Sequence, residues 1–226
     1  FGNRRATHQS MADAEVASGE RQSLRFMWLY ALAVAGGAVS YVPFLTLLLP
    51  LRATELAGDA RIDLLAYIAF AGAIAASVGN IAFGWLSDLP GPRRPWIATG
   101  LVLSCTLLIC VRATSGPLDL LGLIVVWQLA LNMMLGPLGA WAGDSVPDSQ
   151  KGFLGGLLAF APALGAASGA FVTLPGLAGP DQRLVLVAAL VAAMVLPVLL
   201  FGRPRPMPHL MLDDASPDER IRHAKR

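Results

Sequence analysis

Residues 184–202 read LVLVAALVAAMVLPVLLFG, without a single charged or strongly polar side chain. A run of about 20 apolar residues is what an α-helix needs to cross roughly 30 Å of hydrocarbon. Lipid offers no partners for backbone N–H and C=O groups, so a helix is the expected structure of such a segment. The whole chain shares this character: 55% of its residues are hydrophobic and 14% are charged, whereas about a quarter are charged in a typical soluble domain. The sequence therefore predicts an integral membrane protein.

Five further apolar runs precede this one and are separated from each other by short charged segments. The six predicted spans are 26–51, 64–86, 95–111, 120–143, 153–177 and 184–202. The predicted fold class is all-α, a polytopic membrane helix bundle with six transmembrane helices in residues 26–202. Residues 1–25 are expected to form a cytoplasmic N-terminal tail, and residues 203–226 a cytoplasmic C-terminal tail or linker.

The distribution of positive charge predicts how the bundle is oriented. If six spans alternate, both tails and the second and fourth connections share one side, which then carries 13 of the 17 Lys and Arg residues. The opposite side carries the other four, Arg52, Arg61, Arg112 and Arg183. Cytoplasmic segments carry the excess of positive charge, so both termini are expected in the cytoplasm. The preference for Arg over Lys, with abundant Ala, Leu and Gly, is typical of a GC-rich bacterial genome and indicates a bacterial inner membrane.

The connection between the second and third spans is the most informative loop. Residues 84–96 read GWLSDLPGPRRPW, with Asp88 after one span and Arg93 and Arg94 before the next. A connection this short predicts that the two helices are antiparallel neighbours. Residues 144–152, DSVPDSQKG, place Asp144 and Lys151 in the connection between the fourth and fifth spans. The ordinary interpretation is that such charges anchor helix ends at the membrane surface.

These two loops resemble the major facilitator superfamily of transporters. The first resembles the signature between helices 2 and 3 of that family, which matches at Gly84, Asp88, Gly91, Arg93 and Arg94. Leu89 stands where the family has Arg, and Pro92 stands where it often has another basic residue. Residues 91–97 and 144–152 are similar to the sucrose and glycoside–pentoside–hexuronide sugar transporter branch. The resemblance covers residues 26–202 and implies the N-terminal six-helix half of a carrier, built as a 3+3 inverted repeat.

The resemblance also implies a mechanism, alternating access, and a role for the loop charges. In that family the charges act as a cytoplasmic latch that pairs with helix ends of the other half in one state. The implied latch consists of Gly84, Asp88, Gly91, Arg93, Arg94, Asp144 and Lys151. A carboxylate near a helix N-terminus is stabilised by the helix dipole, and partly dehydrated ion pairs can form in one state and break in the other.

Polar side chains inside predicted spans are candidates for a solute site, because such residues are rare in hydrocarbon and mark transport paths. Gln128 and Asn132 are four residues apart and share a helix face, with Trp127 beside them. Tyr41 and Asn80 lie on the first two spans. Amides bond to hydroxyl groups and aromatic faces stack on sugar rings, so a small polar solute such as a sugar is expected. The alternative is that the amides only link helices through hydrogen bonds.

The sequence contains no motif that indicates another class of function. No GxxxxGK[ST] phosphate loop and no acid–base or nucleophile constellation occurs. His8, His209 and His223 all lie outside the predicted spans. The sequence therefore predicts no enzyme, no metal site, no cofactor and no nucleic-acid partner.

Six spans make only half of a complete carrier of this family, which holds its solute between two six-helix halves. Three explanations stay open. The chain is the N-terminal half of a longer carrier, a half-size protein that pairs with a second copy, or a non-transporting scaffold or assembly factor on the same fold. The first is preferred because the charged stretch 212–226 resembles the central loop of such carriers. The expected partners are the lipid bilayer, a small-molecule solute and a second six-helix half.

Overall fold

The structure, a computed structural model, describes residues 21–89 and 92–206. Within these ranges it consists of helices joined by short turns and contains no β-strand, which confirms the all-α class. The helices are α1 (Leu24–Pro43), α2 (Leu49–Ala57), α3 (Arg61–Asp88), α4 (Arg94–Cys110), α5 (Pro117–Ser145), α6 (Asp148–Leu158), α7 (Ala161–Val172) and α8 (Pro180–Phe201). Most of both predicted tails, and Gly91, lie outside the described residues.

Five continuous helical segments are long and apolar enough to cross a membrane, where the sequence predicted six spans. The number differs because the first two predicted spans belong to one helical run, Leu24–Asp88. Residues 52–63, predicted as a loop, are largely helical. A π-helical turn, Phe44–Leu48, links α1 to α2, and a 3₁₀ turn begins at Gly58.

The run does not continue straight through Gly58, because α2 and α3 pack against each other. Gly58 has a φ of 53°, a conformation that glycine adopts without the steric penalty of a Cβ. The chain therefore reverses direction at this residue, and α3 returns along the bundle.

Side-chain contacts define two ends of the bundle. At the first, called the Arg93 end, Arg93 bonds to Asp88 and Asp144, and Gln22 bonds to the chain next to Ser145 and Arg205. At the second, called the Arg52 end, Arg52 bonds to the turn that joins α4 to α5, at Arg112 and Thr114. Successive long helices run between these two ends, α3 and α5 each reaching from the Arg52 end to the Arg93 end.

Two helices organise the packing. α5 packs along α3 and along α4, and α1 packs along α7 and along α8. α4 and α8 also pack against each other. The two helices that the short loop predicted to be antiparallel neighbours, α3 and α4, run antiparallel but pack on α5 and not along each other. Their aromatic side chains meet near the loop, with 6.1 Å between the ring centroids of Phe83 and Trp96, but a short loop fixes only the adjoining helix ends, and α5 contacts both helices over their length.

Glycines allow the closest of these contacts, because small residues let the backbones of membrane helices approach each other. A Cβ on Gly100 of α4 would lie 2.8 Å from the Cα of Met134 in α5. A Cβ on Gly136 of α5 would lie 2.8 Å from the carbonyl oxygen of Asn80 in α3. The missing side chains of these two glycines therefore allow α5 to pack closely between α3 and α4.

The fifth predicted span, 153–177, differs most from the structure. The helix begins earlier, at Asp148, and is interrupted after Leu158. Pro162 occupies the first turn of α7, where its missing N–H has no helical partner to lose. α7 ends at Val172, and residues 173–177 form turns. The predicted loop 144–152 shrinks in consequence to Val146 and Pro147.

We expect Gly100→Ala to destabilise the bundle, because the added methyl group would clash with the α5 backbone. Overpacking of this kind typically lowers the free energy of unfolding by about 1–3 kcal/mol. The measurement is the thermal unfolding midpoint of the purified protein in detergent. Gly139→Ala is the matched control, because a Cβ there meets open space. Equal midpoints for the two variants would contradict the close contact of α4 and α5.

Candidate functional site

Arg93 is the centre of a charge cluster at the Arg93 end. The residue lies at the N-cap of α4, and its Nη2 is 2.6 Å from Oδ1 of Asp88, the last residue of α3. Its Nε donates to Oδ2 of Asp144 in α5 at 2.7 Å, and its Nη1 donates to Oγ of Ser87 at 2.7 Å. One guanidinium group thus joins the ends of three helices.

The burial of the three charged groups differs. The side chain of Arg93 is 14% exposed, whereas those of Asp88 and Asp144 are 55% and 38% exposed. Partial burial alone lowers the pKa of Arg93, but the hydrogen bonds and charges of Asp144 and Asp88 together outweigh it and raise the pKa above its usual range. The guanidinium therefore stays charged, while both carboxylates keep surface that another group can reach.

Helix dipoles do not stabilise these charges. Asp88 and Asp144 lie at the C-terminal ends of α3 and α5, and Arg93 lies at the N-terminal end of α4. Neither acid lies at the N-terminus of its own helix, because each of them ends a helix and precedes a loop. A charge of unfavourable sign at a helix end is destabilised by about 0.3–1 kcal/mol. Each of the three groups therefore depends on the others for its stability.

Arg94 makes a separate set of contacts from its neighbour. Its Nη2 donates to the carbonyl oxygen of Gly202, directly after α8. Its guanidinium carbon lies 5.6 Å from the centroid of the Trp141 ring in α5, a cation–π distance. Arg94 thus connects α4 to the end of α8, as Arg93 connects it to α3 and α5.

Gln22 is a residue of this end that the sequence did not indicate. It is 2% exposed, and its Nε2 donates to the carbonyl oxygens of Ser145 at 2.8 Å and Arg205 at 3.2 Å. Its Oε1 accepts from the backbone N–H of Arg205 at 2.9 Å, and its own N–H donates to Oε1 of Gln150 at 2.6 Å. No signal in the sequence distinguishes this glutamine from other polar residues of the predicted tail.

The structure brings part of the predicted latch together. Asp88, Arg93 and Asp144 form one cluster, and Arg94 lies next to it. Lys151 instead pairs with Asp148 of its own helix at 2.6 Å on an exposed surface. Gly84 lies against Gly136, where a Cβ on Gly136 would be 3.1 Å from the Gly84 nitrogen.

The predicted solute-site residues separate into two groups. Asn80 donates from Nδ2 to Oδ1 of Asn132 at 3.3 Å, and Asn132 donates to the carbonyl oxygen of Gln128 at 2.9 Å. The side chain of Gln128 lies near Gly72, so these three amides share the boundary of α3 and α5. The bond between Asn80 and Asn132 is the interhelical link that the alternative interpretation expects.

The two predicted aromatic residues lie elsewhere. Trp127 is 0% exposed, and its ring meets that of Phe44 edge-on with 4.9 Å between centroids. Its indole N–H is buried and has no partner among the described residues. Tyr41 is 37% exposed and lies on α1. The described residues also contain no group of three His, Cys, Asp or Glu side chains that could hold a metal ion.

Comparison with known proteins found no family model that matches this chain and no curated protein that matches it. The resemblance of residues 84–96 and 144–152 to the major facilitator superfamily therefore stays a prediction.

We expect Arg93→Ala to lower the free energy of unfolding by about 1–2 kcal/mol, because it leaves two carboxylates at helix C-termini without a counter-charge. The loss stays below that of a fully buried ion pair, since both acids are partly exposed. A double-mutant cycle with Asp144→Ala should give a coupling free energy of about 1 kcal/mol in chemical denaturation.

The control is a second cycle on Lys151 and Asp148, an exposed pair within one helix that should give no measurable coupling. A coupling between Arg93 and Asp144 as small as that of the control pair would contradict the described cluster.

Proposed function

We propose that the chain is one half of a membrane carrier that moves a small polar solute, such as a sugar, by alternating access. In this mechanism the bundle rocks against a second six-helix half, around a solute site near the middle of the membrane. The observation that carries the proposal is the cluster of Arg93 with Asp88 and Asp144, which has the chemistry of a latch at one end of the bundle.

The cluster suits a latch because its carboxylates are only partly neutralised by protein contacts. Asp88 and Asp144 are held in place by Arg93, yet each keeps exposed surface. Both acids also lie at helix ends whose dipole disfavours them. Basic groups of a second half that approach this end would therefore gain from both carboxylates, and they would lose that gain when the halves separate.

The packing pattern supports six crossings arranged as a 3+3 repeat. In such a repeat, α1 corresponds to α5, α3 to the α6–α7 pair, and α4 to α8. Each contact between two helices should then also occur between their counterparts. The contact of α3 with α5 then becomes that of α7 with α1, and the contact of α4 with α5 becomes that of α8 with α1; the contact of α4 with α8 is unchanged. Each of these pairs is present, as an internal repeat requires, and the reversal at Gly58 supplies the additional crossing.

The charge distribution favours an orientation in which the Arg93 end faces the cytoplasm of a bacterium. The Lys and Arg residues of the described chain at this end are Arg21, Arg25, Arg93, Arg94, Lys151, Arg203 and Arg205. Those at the Arg52 end are Arg52, Arg61, Arg112 and Arg183. Following the positive-inside rule, we propose that both termini lie in the cytoplasm. The proposal of a bacterial inner membrane is supported only by the preference for Arg over Lys and the abundance of Ala, Leu and Gly.

The solute site that we propose includes Asn80, Gln128 and Asn132. Asn80 is exposed on α3, and its amide is held by Asn132, which is 7% exposed. An exposed amide whose orientation is fixed by a buried one can donate to and accept from solute hydroxyl groups. Tyr41 remains a candidate on α1, in the same half of the repeat as Asn80. Trp127 has no exposed surface, so it could affect the site only by packing beneath it.

Helix α3 has an exposed face that fits a second half. Apart from Ile62 in the first turn, its bulky exposed residues form one stripe: Tyr67, Phe70, Ile74, Val78, Ile81 and Trp85. A different exposed stripe carries only small or polar side chains: Ala66, Ala69, Ala73, Ser77 and Asn80. Bulky apolar side chains suit lipid, while small residues allow another helix to approach closely.

The α6–α7 pair, which corresponds to α3 in the proposed repeat, shows the same division. Its bulky exposed residues are Phe153, Phe160, Leu164 and Phe171. Its exposed small residues are Gly152, Gly156, Ala163, Ala166 and Ala170. Two helices related by the repeat thus present small-residue stripes, and we propose that the second half covers both of them.

The coverage of these stripes can be measured with nitroxide spin labels on Ala73→Cys and Ile74→Cys, in a background with Cys105 and Cys110 replaced by Ser. In liposomes that contain the complete gene product, the label at residue 74 should collide with oxygen dissolved in the lipid. The label at residue 73 should be shielded and less mobile. Equal, high oxygen accessibility at both positions would contradict a second half on this face.

A second candidate function is a non-transporting membrane scaffold or assembly factor on the same fold. The observation in its favour is that the amide of Asn132 is already engaged with Asn80 and Gln128, so the polar residues also serve to join helices. A scaffold would bind a partner protein through the same exposed faces and would need no solute site.

Uptake distinguishes the two functions. Membrane vesicles that contain the complete gene product should accumulate at least one member of a panel of radiolabelled mono- and disaccharides. Asp88→Asn and Arg93→Ala should reduce this uptake about tenfold at normal expression. Both substitutions weaken the latch, and with it the contact between the two halves on which alternating access depends. Arg61→Gln, at the Arg52 end, is the matched control and should leave uptake unchanged.

Unchanged uptake in the Asp88 and Arg93 variants would reject the latch while leaving a carrier in place. No uptake of any sugar, together with stable copurification of a partner complex from native membranes, would instead favour the scaffold.

A further inference from the structure

A pocket of about 350 Å³ lies at the Arg52 end, between α2, the turn after α4 and the first turn of α8. Part of its wall is apolar and consists of Leu48, Leu51, Val111 and Leu184. The rest is charged. Three of the four Arg residues at this end line the pocket, namely Arg52, Arg112 and Arg183, whereas Arg61 does not.

Arg52 is fully engaged by the protein. Its Nη1 pairs with Glu55 at 2.8 Å, and its Nη2 donates to the carbonyl oxygens of Arg112 and Thr114. Its Nε lies 3.4 Å from the hydroxyl of Thr114. Arg52 therefore builds the wall of the pocket and fixes the turn that carries Arg112.

Arg112 and Arg183 differ from Arg52 in this respect. Arg112 has no side-chain hydrogen bond and no ion pair with any residue of 21–89 or 92–206. Arg183 donates only its Nε, to the carbonyl oxygen of Ala178 at 3.2 Å. Within the described chain, the Nη groups of both residues are therefore available to a ligand.

The charges of the pocket leave a positive excess. Glu55 neutralises Arg52, and the pocket contains one more carboxylate, that of Asp181. Asp181 lies in the first turn of α8, where the helix dipole stabilises it without a cation. Two available guanidinium groups against one such carboxylate give the pocket a net charge of one positive unit.

We propose that this pocket binds a single phosphate group through Arg112 and Arg183. The planar fork of a guanidinium group matches two oxygens of a phosphate, and the pair of charged hydrogen bonds is stronger than neutral ones. One positive unit of charge fits the single negative charge of a phosphodiester. The apolar wall suits the carbon skeleton attached to it.

Two sources can supply this group, a phospholipid headgroup and free phosphate in solution. The pocket lies at the end of the bundle opposite the Arg93 cluster and would bind phosphate whether or not the chain is a carrier. A lipid would bind through its phosphodiester with the glycerol carbons on the leucines, whereas free phosphate would use the guanidinium groups alone.

The test is native mass spectrometry of the delipidated, complete gene product in non-ionic detergent, titrated with dioleoylphosphatidylglycerol. We expect one tightly bound lipid per chain. The variant with both Arg112→Gln and Arg183→Gln should bind it about tenfold more weakly, since charged hydrogen bonds are lost. Arg61→Gln is the matched control: it removes one Arg from the same end, outside the pocket, and should bind as the wild type does.

A second titration with inorganic phosphate separates the sources. Binding of inorganic phosphate that is equally sensitive to the double variant identifies free phosphate as sufficient. Lipid binding with the same sensitivity, and no binding of inorganic phosphate, identifies the headgroup.

Lipid and phosphate binding that the double variant leaves intact would overturn the proposal, as would an equal loss in Arg61→Gln. The single variant Arg112→Lys guards against a folding defect, because it keeps the charge and removes the fork. At an unchanged unfolding midpoint it should bind more weakly than the wild type, and wild-type affinity would also overturn the proposal.

Discussion

The guanidinium group of Arg93 balances two carboxylates that end their helices at the side where the dipole is unfavourable to them. Asp88 and Asp144 would repel each other without this shared cation, and Arg93 itself begins a helix, where a positive charge is also disfavoured. The cluster therefore fixes the relative height of α3, α4 and α5 at one end of the bundle. The glycine contacts of α5 with α3 and α4 set the lateral spacing of the same three helices.

Much of the fold was predictable, because apolar runs of membrane length leave the backbone few alternatives to a helix. The differences arise where hydropathy does not determine the backbone conformation. Residues 52–63 are polar enough to indicate a loop, yet they extend the first helix to Ala57 and reverse only at Gly58. The break in the fifth predicted span depends on backbone geometry near Pro162, which a hydropathy pattern does not contain.

The charged cluster at the Arg93 end and the residues of the proposed solute site were predictable to different degrees. The charges of the Arg93 end lie in short connections, so chain connectivity alone brings Asp88 close to Arg93. Asp144 joins them because α5 packs along α3, which no local pattern contains. Helical spacing correctly placed Gln128 near Asn132, but it did not indicate that Trp127 turns into the core against Phe44. Gln22 was missed because three of its partners, Ser145, Gln150 and Arg205, lie more than 120 residues away along the chain.

The bonds of Gln22 also bear on the order in which the molecule assembles. Its partner Arg205 is 183 residues further along the chain, and Ser145 is 123 residues further. During synthesis α1 therefore emerges long before the residues that bind its N-terminal end have been made. Closing so large a loop has an entropic penalty that later contacts must offset. The start of α1 can form its bonds to Arg205 only after α8 has been synthesised, so this early segment of the fold completes its contacts late.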